Sequence, residues 1–301
     1  MSVRHFLQIF LFWVVGGPLL TAVSGESIRI ATYNVENYLV MDRYHDGSWR
    51  PAYPKPEIEK TAVRSVIATA RPDVLALQEI GDSRFLEELR ADLELEGLNY
   101  THAIHMQGDD AVRHLAVLSK LPPVEVVRHR DLDFRYFDDR VLVKRGLLEV
   151  SFARADGSAF KLFVVHLKSR WTDDERDPQS ALRRVREAEA CRNRIIERTL
   201  DSGLIDFVIA GDFNDHPDSG TLRRFQQRGR LNIGSRLPAG DSRGHTWTHF
   251  FERQGSYTTV DGFVLSENVL PRAVGGRGTI VDLQEALQGS DHRLVYFDLE
   301  E

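Results

Sequence analysis

The feature that most constrains the fold is a short apolar run, Val208-Ile209-Ala210, that stops at Gly211 and is followed at once by Asp212 and Asn214. The run is typical of a buried strand. Residues two apart in extended backbone face the same side, so the two polar side chains are expected to emerge together. α/β folds bind ligands at such strand ends. Plain turn chemistry is the alternative interpretation, because Asp and Asn are also common turn residues.

Five further strand-like segments carry polar residues in the same way, which makes coincidence a poor explanation. They lie near residues 28–37, 74–79, 160–169, 258–266 and 289–297. Clustered together, these residues would supply carboxylates for a metal ion and two imidazoles for proton transfer or phosphate contact. The whole set is Asn34 with Glu36, Glu79, His166, Asp212 with Asn214, Asp261, and Asp291 with His292.

Helical periodicity separates these strands and predicts an α/β protein. Apolar residues recur at helical spacing in 57–70, 83–93 and 180–200, and strands are also expected at 114–119 and within 141–152. The arginines of 180–200 are interleaved with glutamates and are interpreted as a solvated face, and Cys191 as a core residue. Residues 38–56, rich in proline and aromatic residues, are expected to form a long ordered loop.

The N-terminus resembles an export signal. Arg4 and His5 precede a short apolar run that Gly16-Gly17-Pro18 breaks, and small residues at 22–25 offer a cleavage site. We therefore expect a signal peptide at 1–25, a single domain at 26–301, and a secreted or periplasmic protein. An uncleaved N-terminal anchor is the alternative. No other segment is apolar enough to span a bilayer.

Composition narrows the chemistry further. The formal charge of −6 argues against a strongly basic, sequence-independent nucleic-acid coat, although a local basic cleft remains compatible with it. The single cysteine excludes an intramolecular disulfide. The oxygen-rich set of candidate ligands favours Mg²⁺ or Mn²⁺ over zinc.

Taken in order, these motifs resemble the endonuclease/exonuclease/phosphatase superfamily, the deoxyribonuclease I-like metal-dependent phosphodiesterases. The resemblance covers residues 28–298 and implies a four-layer α/β sandwich, with two central mixed β-sheets flanked by helices and an active site at one rim. The matching motifs are Thr32-Tyr33-Asn34-Val35-Glu36, Leu77-Gln78-Glu79, Leu115-Ala116-Val117-Leu118-Ser119, His166-Leu167-Lys168-Ser169, Gly211-Asp212-Phe213-Asn214-Asp215, Val260-Asp261-Gly262-Phe263 and Ser290-Asp291-His292.

The resemblance also implies metal-binding roles. Glu79 is similar to the principal metal ligand, with Asn34 and Glu36 beside it. Asp261 would orient His292, or Asp291 would share the metal site.

Other positions match catalytic residues. Asp212 and Asn214 resemble the pair that orients water and contacts the scissile phosphate, and His292 resembles the phosphate-binding histidine. His166 matches the second histidine of the deoxyribonuclease and sphingomyelinase branches. Arg145 and Arg140 compete for a substrate-contacting position, and the segment Thr246-Trp247-Thr248-His249 is interpreted as packing.

The expected function is therefore that of an exported phosphodiesterase that uses Mg²⁺ or Mn²⁺, of the nuclease kind. DNA or RNA is the expected substrate and a monomer the expected state. A sphingomyelinase-like enzyme, a small-molecule phosphoesterase and a catalytically silent binding protein are the alternatives. The sequence offers no clear aromatic hairpin for membrane docking, which weakens the lipid alternative.

Overall fold

A computed structural model describes residues 27–172 and 174–301. The predicted signal peptide, residues 1–25, lies outside the described residues, and its cleavage stays a prediction. In the described part of the chain, no helix combines the length and the apolar character needed to cross a membrane.

Five α-helices form in residues 27–172 and 174–301, and the first three lie where the periodicity predicted them. The helix predicted at 83–93 extends two residues further, and the arginine-rich helix is slightly shorter than its predicted range of 180–200. Asp82 caps the second helix by accepting the N–H of Arg84. The helices are α1 (Glu57–Ala70), α2 (Ser83–Leu95), α3 (Ala181–Arg198), α4 (Gly220–Gln226) and α5 (Ala286–Gly289).

The strands include every predicted one, with three differences. The predicted strand in 141–152 is two elements separated by a turn with Gly146 at φ 69°. The predicted strand 258–266 is broken before Asp261, and residues 38–56 hold a hairpin instead of a loop. The strands are β1 (Ser27–Tyr38), β2 (Met41–His45), β3 (Ser48–Tyr53), β4 (Val74–Ile80), β5 (His102–Met106), β6 (His114–Ser119), β7 (Pro123–His129), β8 (Asp133–Tyr136), β9 (Asp139–Leu142), β10 (Leu147–Ala153), β11 (Ala159–His166), β12 (Phe207–Asp212), β13 (Gln227–Arg228), β14 (Leu231–Asn232), β15 (Ser235–Arg236), β16 (Ala239–Gly240), β17 (His249–Phe251), β18 (Ser256–Thr258), β19 (Asp261–Leu265), β20 (Gly278–Ile280) and β21 (Val295–Glu300).

Two large mixed sheets form the centre of the molecule. The first has the order β16-β20-β21-β1-β4-β6-β5, and the second β15-β19-β12-β11-β10-β7. β1 runs parallel to β4, and β11 runs parallel to β12. Parallel neighbours end at the same edge of their sheet, so the polar residues that terminate these four strands lie at common rims.

Three cores define the four predicted layers. Alternate residues of both sheets, such as Ile30 and Val208, form one core between the sheets. The other faces pack on helices: Val63 of α1 and Leu89 of α2 join the first sheet, and Ile195 of α3 joins the second. Cys191 is fully buried in this last core, as predicted. The four-layer sandwich predicted from sequence is therefore confirmed.

Candidate active site

Side-chain alternation brings four of the predicted residues to one place. Four predicted residues share a face of their strand with the core between the two sheets. Each lies two, four or six residues along its strand from a side chain of that core, and they are Asn34, His166, Asp212 and Asp261. Because strand side chains alternate between faces, all four point toward the opposite sheet. Each is almost completely buried. His166, Asp212 and Asp261 lie at an end of their strands, and Asn34 is the last residue of β1 before its pairing with β4 becomes irregular. The two sheets therefore deliver these groups to one shared rim.

Asp212 is the centre of this cluster. Its Oδ2 accepts hydrogen bonds from Asn34 Nδ2 at 3.2 Å and from Asn214 Nδ2 at 2.9 Å. The same oxygen lies 3.5 Å from Nε2 of His166 and 3.9 Å from Nε2 of His292. One carboxylate oxygen thus links residues from both sheets.

The same local turn follows β12 and occurs within β1. Asp212 Oδ1 accepts the N–H of Asn214 at 2.8 Å, and Asn34 Oδ1 accepts the N–H of Glu36 at 3.0 Å. Asn214 and Glu36 have left-handed backbone, with φ of 52° and 41°. Residues 212–214 therefore form a turn and also belong to the cluster, so the two alternative interpretations of this segment are both correct.

Glu79 reaches the rim because β4 is irregular. Alternation alone would turn this side chain toward the helices, since Leu75 and Leu77 belong to that core. The pairing register of β4 with β6 shifts between Gln78 and Ile80, and Glu79 has φ 63°. A bulge of this kind re-aims a side chain. The carboxylate accepts the N–H of Asn37 at 3.0 Å.

Asp261 holds the imidazole of His292, as one of the two interpretations left open by the sequence requires, and the role of Asp291 at a metal stays a prediction. Nδ1 of His292 lies 2.8 Å from Oδ2 of Asp261. Ser290 Oγ accepts the backbone N–H of His292 at 3.0 Å, and Thr248 Oγ1 accepts that of Asp261 at 3.0 Å. The Asp291 carboxylate lies farther from the imidazole, at 3.8 Å.

Three acidic side chains, Glu36, Glu79 and Asp291, form the part of the site suited to a cation. The backbone N–H of Asp291 donates to Glu36 Oε2 at 3.0 Å. Burial, and then repulsion from Asp291 and Glu79, raises the pKa of Glu36 to about 7. A bound divalent cation would relieve that repulsion, and carboxylate oxygens are its preferred ligands. The chemistry of these three side chains therefore suits a divalent metal ion. In the described residues, the groups whose ligand atoms already lie within 4.8 Å of one another are His249 with Asp291 and His292, and Asp212 with Asp261 and His292.

The pKa values of the other ionisable groups of the site are shifted in opposite directions. Burial, followed by the charge of Asp261, raises the pKa of Asp212 to about 7. Burial, followed by the charge of Arg145, lowers the pKa of His166 well below its ordinary value. Burial alone would lower the pKa of His292, but Asp261 and the other nearby carboxylates raise it well above 6.5. The lowered pKa favours the neutral imidazole of His166, and the raised pKa favours the imidazolium of His292.

Two residues of the site were missed by sequence reasoning. Nε of Arg113 lies 3.5 Å from Glu79 Oε2. His249 lies 3.5 Å from the Asp291 carboxylate, with its ring centre 4.6 Å from that of His292. Nothing local marks Arg113, whereas His249 belongs to the segment 246–249, for which packing is the favoured interpretation of the sequence.

The competition between two arginines is also resolved in space. Arg145 is buried, with Nε 3.1 Å from Asp110 Oδ2, and its charge acts on His166. Arg140 instead pairs with Asp133 at the solvent-facing side of the β8–β9 hairpin. The structure therefore places Arg145, and not Arg140, beside the site.

A cleft of about 720 Å³ extends from Glu36 and Asp291 along the β2–β3 hairpin. Tyr44 and Trp49 of the hairpin line this cleft, are 65% and 72% exposed, and pack edge to face with ring centres 5.9 Å apart. The chain therefore has an exposed aromatic hairpin where a loop was expected. The expectation that no such hairpin is suited to membrane docking stays a prediction.

The protein has a phosphoesterase fold: a four-layer sandwich with acidic, amide and imidazole side chains at one rim. The chain belongs to the Endonuclease/Exonuclease/phosphatase family, whose model matches residues 31–292. Members of this family are usually metal-dependent hydrolases of phosphoester bonds. A search of curated protein sequences found no match.

Solved structures share the fold at low sequence identity. An endonuclease/exonuclease/phosphatase from Bacteroides vulgatus is 18% identical with a TM-score of 0.63, over 91% of this chain and 99% of that one. The human Nocturnin catalytic domain with bound sulfate is 15% identical with a TM-score of 0.61, over 90% and 93%. Sphingomyelinase C from Streptomyces griseocarneus is 16% identical with a TM-score of 0.57, over 91% and 99%.

Proposed function

We propose that this protein is an exported phosphodiesterase that depends on Mg²⁺ or Mn²⁺, and that it acts as a nuclease on DNA or RNA. One observation carries the proposal: Asp212 Oδ2 lies within 3.9 Å of nitrogen atoms from Asn34, His166, Asn214 and His292. A phosphodiester needs a proton acceptor for water and positive charge on its oxygens. The buried cluster around Asp212 offers a proton acceptor and positive charge at the same site.

Different residues of the chain have different roles in the proposed hydrolysis. Asp212, with a pKa raised to about 7, accepts the proton from the attacking water, and Asn214 orients it. His166, a neutral imidazole, is the alternative acceptor. His292, held by Asp261, stabilises negative charge on the phosphoryl oxygens.

The acidic side of the site would hold the metal ion. Glu79 is the proposed principal ligand, with Asn34, Glu36 and Asp291 beside it. When bound, Mg²⁺ or Mn²⁺ neutralises phosphoryl charge and stabilises the leaving oxygen. Arg113 and Arg145 border the same site and would attract an anionic substrate.

A second candidate function rests on the β2–β3 hairpin. Exposed Tyr44 and Trp49 beside the site suit a lipid interface, where aromatic side chains with a polar edge are stable. A sphingomyelinase is among the proteins that share the fold. A sphingomyelinase-like activity is therefore the alternative to the nuclease.

The deciding experiment is a substrate panel with the purified mature protein. Plasmid DNA, single-stranded RNA, sphingomyelin vesicles and a phosphorylated sugar are each incubated with Mg²⁺, with Mn²⁺ and with EDTA. We expect metal-dependent cleavage of DNA or RNA. Cleavage of sphingomyelin alone would select the lipid enzyme, cleavage of the sugar phosphate alone a small-molecule phosphoesterase, and no turnover a silent binding protein.

Two further parts of the proposal are tested separately. N-terminal sequencing of protein recovered from the periplasm or medium tests the expected cleavage near residue 25. Light scattering tests the expected monomer.

A further inference from the structure

The segment around the β2–β3 hairpin sends two cationic side chains to the end of β1. Lys55 Nζ donates a hydrogen bond to the carbonyl oxygen of Glu36 at 2.8 Å. The guanidinium of Arg43 donates to the carbonyl oxygens of Asn37 and, at 3.3 Å, Leu39. Consecutive carbonyl groups of residues 36 and 37 are therefore bound by cations from the same segment.

These carbonyl groups need partners because β1 leaves its regular ladder at this point. Glu36 and Asn37 have φ of 41° and 53°, and the pairing of β1 with β4 is interrupted between Asn34 and Tyr38. Left-handed backbone is strained for a residue other than glycine. Such a turn persists only where its surroundings hold it.

The left-handed pair fixes the relative positions of the three acids of the site. The carboxylate of Glu36 accepts the N–H of Asp291 at 3.0 Å. The N–H of Asn37 donates to the carboxylate of Glu79, also at 3.0 Å. A shift of this turn would therefore move Glu36 relative to both Glu79 and Asp291.

The burial of Lys55 indicates a positioning role rather than a surface ion pair. Its side chain is completely buried, and Nζ lies 3.3 Å from the Glu59 carboxylate. Burying an ammonium group is costly even when it is paired. Lys60, five residues on, is a natural comparison because its ammonium binds Glu88 on α2 and lies over the Tyr38 ring.

We propose that Lys55 and Arg43 are positioning residues that hold the left-handed turn at 36–37 and thereby set the affinity of the acidic cluster for a divalent cation. The assignment rests on the proposed metal-dependent function. It also gives residues 38–56 a role: the hairpin and its flanks support the metal side of the site from outside the ligand set.

The test measures Mn²⁺ binding to the mature protein by calorimetry, with Lys55→Met and Arg43→Met as variants. Partners that orient metal ligands typically contribute about 10- to 100-fold in affinity. We expect Kd for Mn²⁺ to rise by about that factor in each variant. With a generic phosphodiester, the Mn²⁺ concentration for half-maximal rate should rise in parallel, while kcat at saturating Mn²⁺ stays within about threefold of wild type.

Lys60→Met is the matched control, and it should keep the wild-type Kd. Melting without metal separates positioning from general stability. Unchanged Mn²⁺ affinity in Lys55→Met, with only a lower Tm, would overturn the proposal. If Lys55→Met does not fold, unchanged affinity in Arg43→Met overturns it and reduced affinity supports it.

The two proposals fail in different ways. A wild-type protein that binds Mn²⁺ but hydrolyses no phosphodiester would remove the proposed function, and the Kd values alone would then decide the roles of Lys55 and Arg43. A wild-type protein that binds no Mn²⁺ would overturn both.

Discussion

His292 and Asp261 form a buried pair in which Nδ1 of the imidazole lies 2.8 Å from the carboxylate. The two residues come from different sheets of the sandwich, since β19 belongs to the second sheet and His292 precedes β21 of the first. The pair leaves Nε2 of His292 facing Asp212, at 3.9 Å. The position and charge of this imidazole therefore depend on the packing of the two sheets.

Replacing Asp261 with Asn should lower kcat by about 10²-fold, the range of a positioned acid-base group. The amide keeps a hydrogen-bond acceptor for the ring but no longer supports its positive charge. Steady-state kinetics on a generic phosphodiester checks this. Asp131→Asn, which alters an exposed pair with Arg194, should behave as wild type. Equal rates in Asp261→Asn and wild type would remove the role of the pair.

Replacing Gly211 with Ala should disrupt the site, whereas Gly262→Ala should be milder. The two glycines face each other across β12 and β19, and both have φ of 148°. A Cβ at 211 would lie 2.0 Å from the carbonyl oxygen of Val165, while a Cβ at 262 meets nothing within 4 Å. Backbone strain alone costs about 1–3 kcal/mol.

Chemical denaturation measures the difference between the two glycine variants. Gly262→Ala should lose about 1–3 kcal/mol of unfolding free energy, and Gly211→Ala should lose more because β11 and β12 must separate. Gly211→Ala should also lose activity, since Asp212 follows directly. Equal stability of the two variants would contradict the contact geometry.

Glu149 should stabilise the second sheet through a buried ion cluster remote from the site. Its carboxylate binds His129 at 2.8 Å, Arg198 at 2.9 Å, and Lys161. Glu149→Ala removes the buried carboxylate that these three side chains share, while Lys161 and Arg198 keep Glu125, so we expect a loss of about 3 kcal/mol in unfolding free energy. Urea denaturation at pH 7 checks this, with exposed Glu94→Ala as a control that should lose under 0.5 kcal/mol.

The same cluster predicts a pH dependence of stability. Burial alone would raise the pKa of Glu149, but the bonds from His129, Arg198 and Lys161 lower it from 4.5 to about 2. A carboxyl group with a lowered pKa in the folded state stabilises the protein above pH 4.5, and this contribution is lost as pH falls toward 2. Denaturation between pH 6 and 2 should show this loss in wild type and a shallower one in Glu149→Gln. The same dependence of unfolding free energy on pH in both proteins would contradict this role of Glu149.

Sequence patterns predicted those parts of the site that depend on strand alternation. Asn34, His166, Asp212 and Asp261 converge because each continues the inward face of a buried strand. For β11 and β12 that relation can be read from the sequence, since their inward residues are apolar up to His166 and Asp212. The layers follow from the same strands and from the amphipathic helices between them.

Other parts could not be obtained from local patterns. Glu79 is aimed at the rim by a left-handed residue inside a strand, which alternation does not predict. Arg113 reaches the site through a loop that no local signal marks, and His249 reaches it because β17 forms a bridge to His292. The β2–β3 hairpin packs few apolar side chains, so its strands show no buried face, although Asp46-Gly47 is a recognised hairpin turn and could have revealed it.

The most direct test of the proposed function is hydrolysis of bis(p-nitrophenyl) phosphate by wild type, Asp212→Ala and Asp218→Ala. Asp218 is an exposed carboxylate in the loop after β12 and serves as the matched control. We predict turnover only with Mg²⁺ or Mn²⁺, a loss of about 10³-fold in Asp212→Ala with an unchanged fold by circular dichroism, and no loss in Asp218→Ala. Near-wild-type turnover by Asp212→Ala, or turnover that persists in EDTA, would contradict the account.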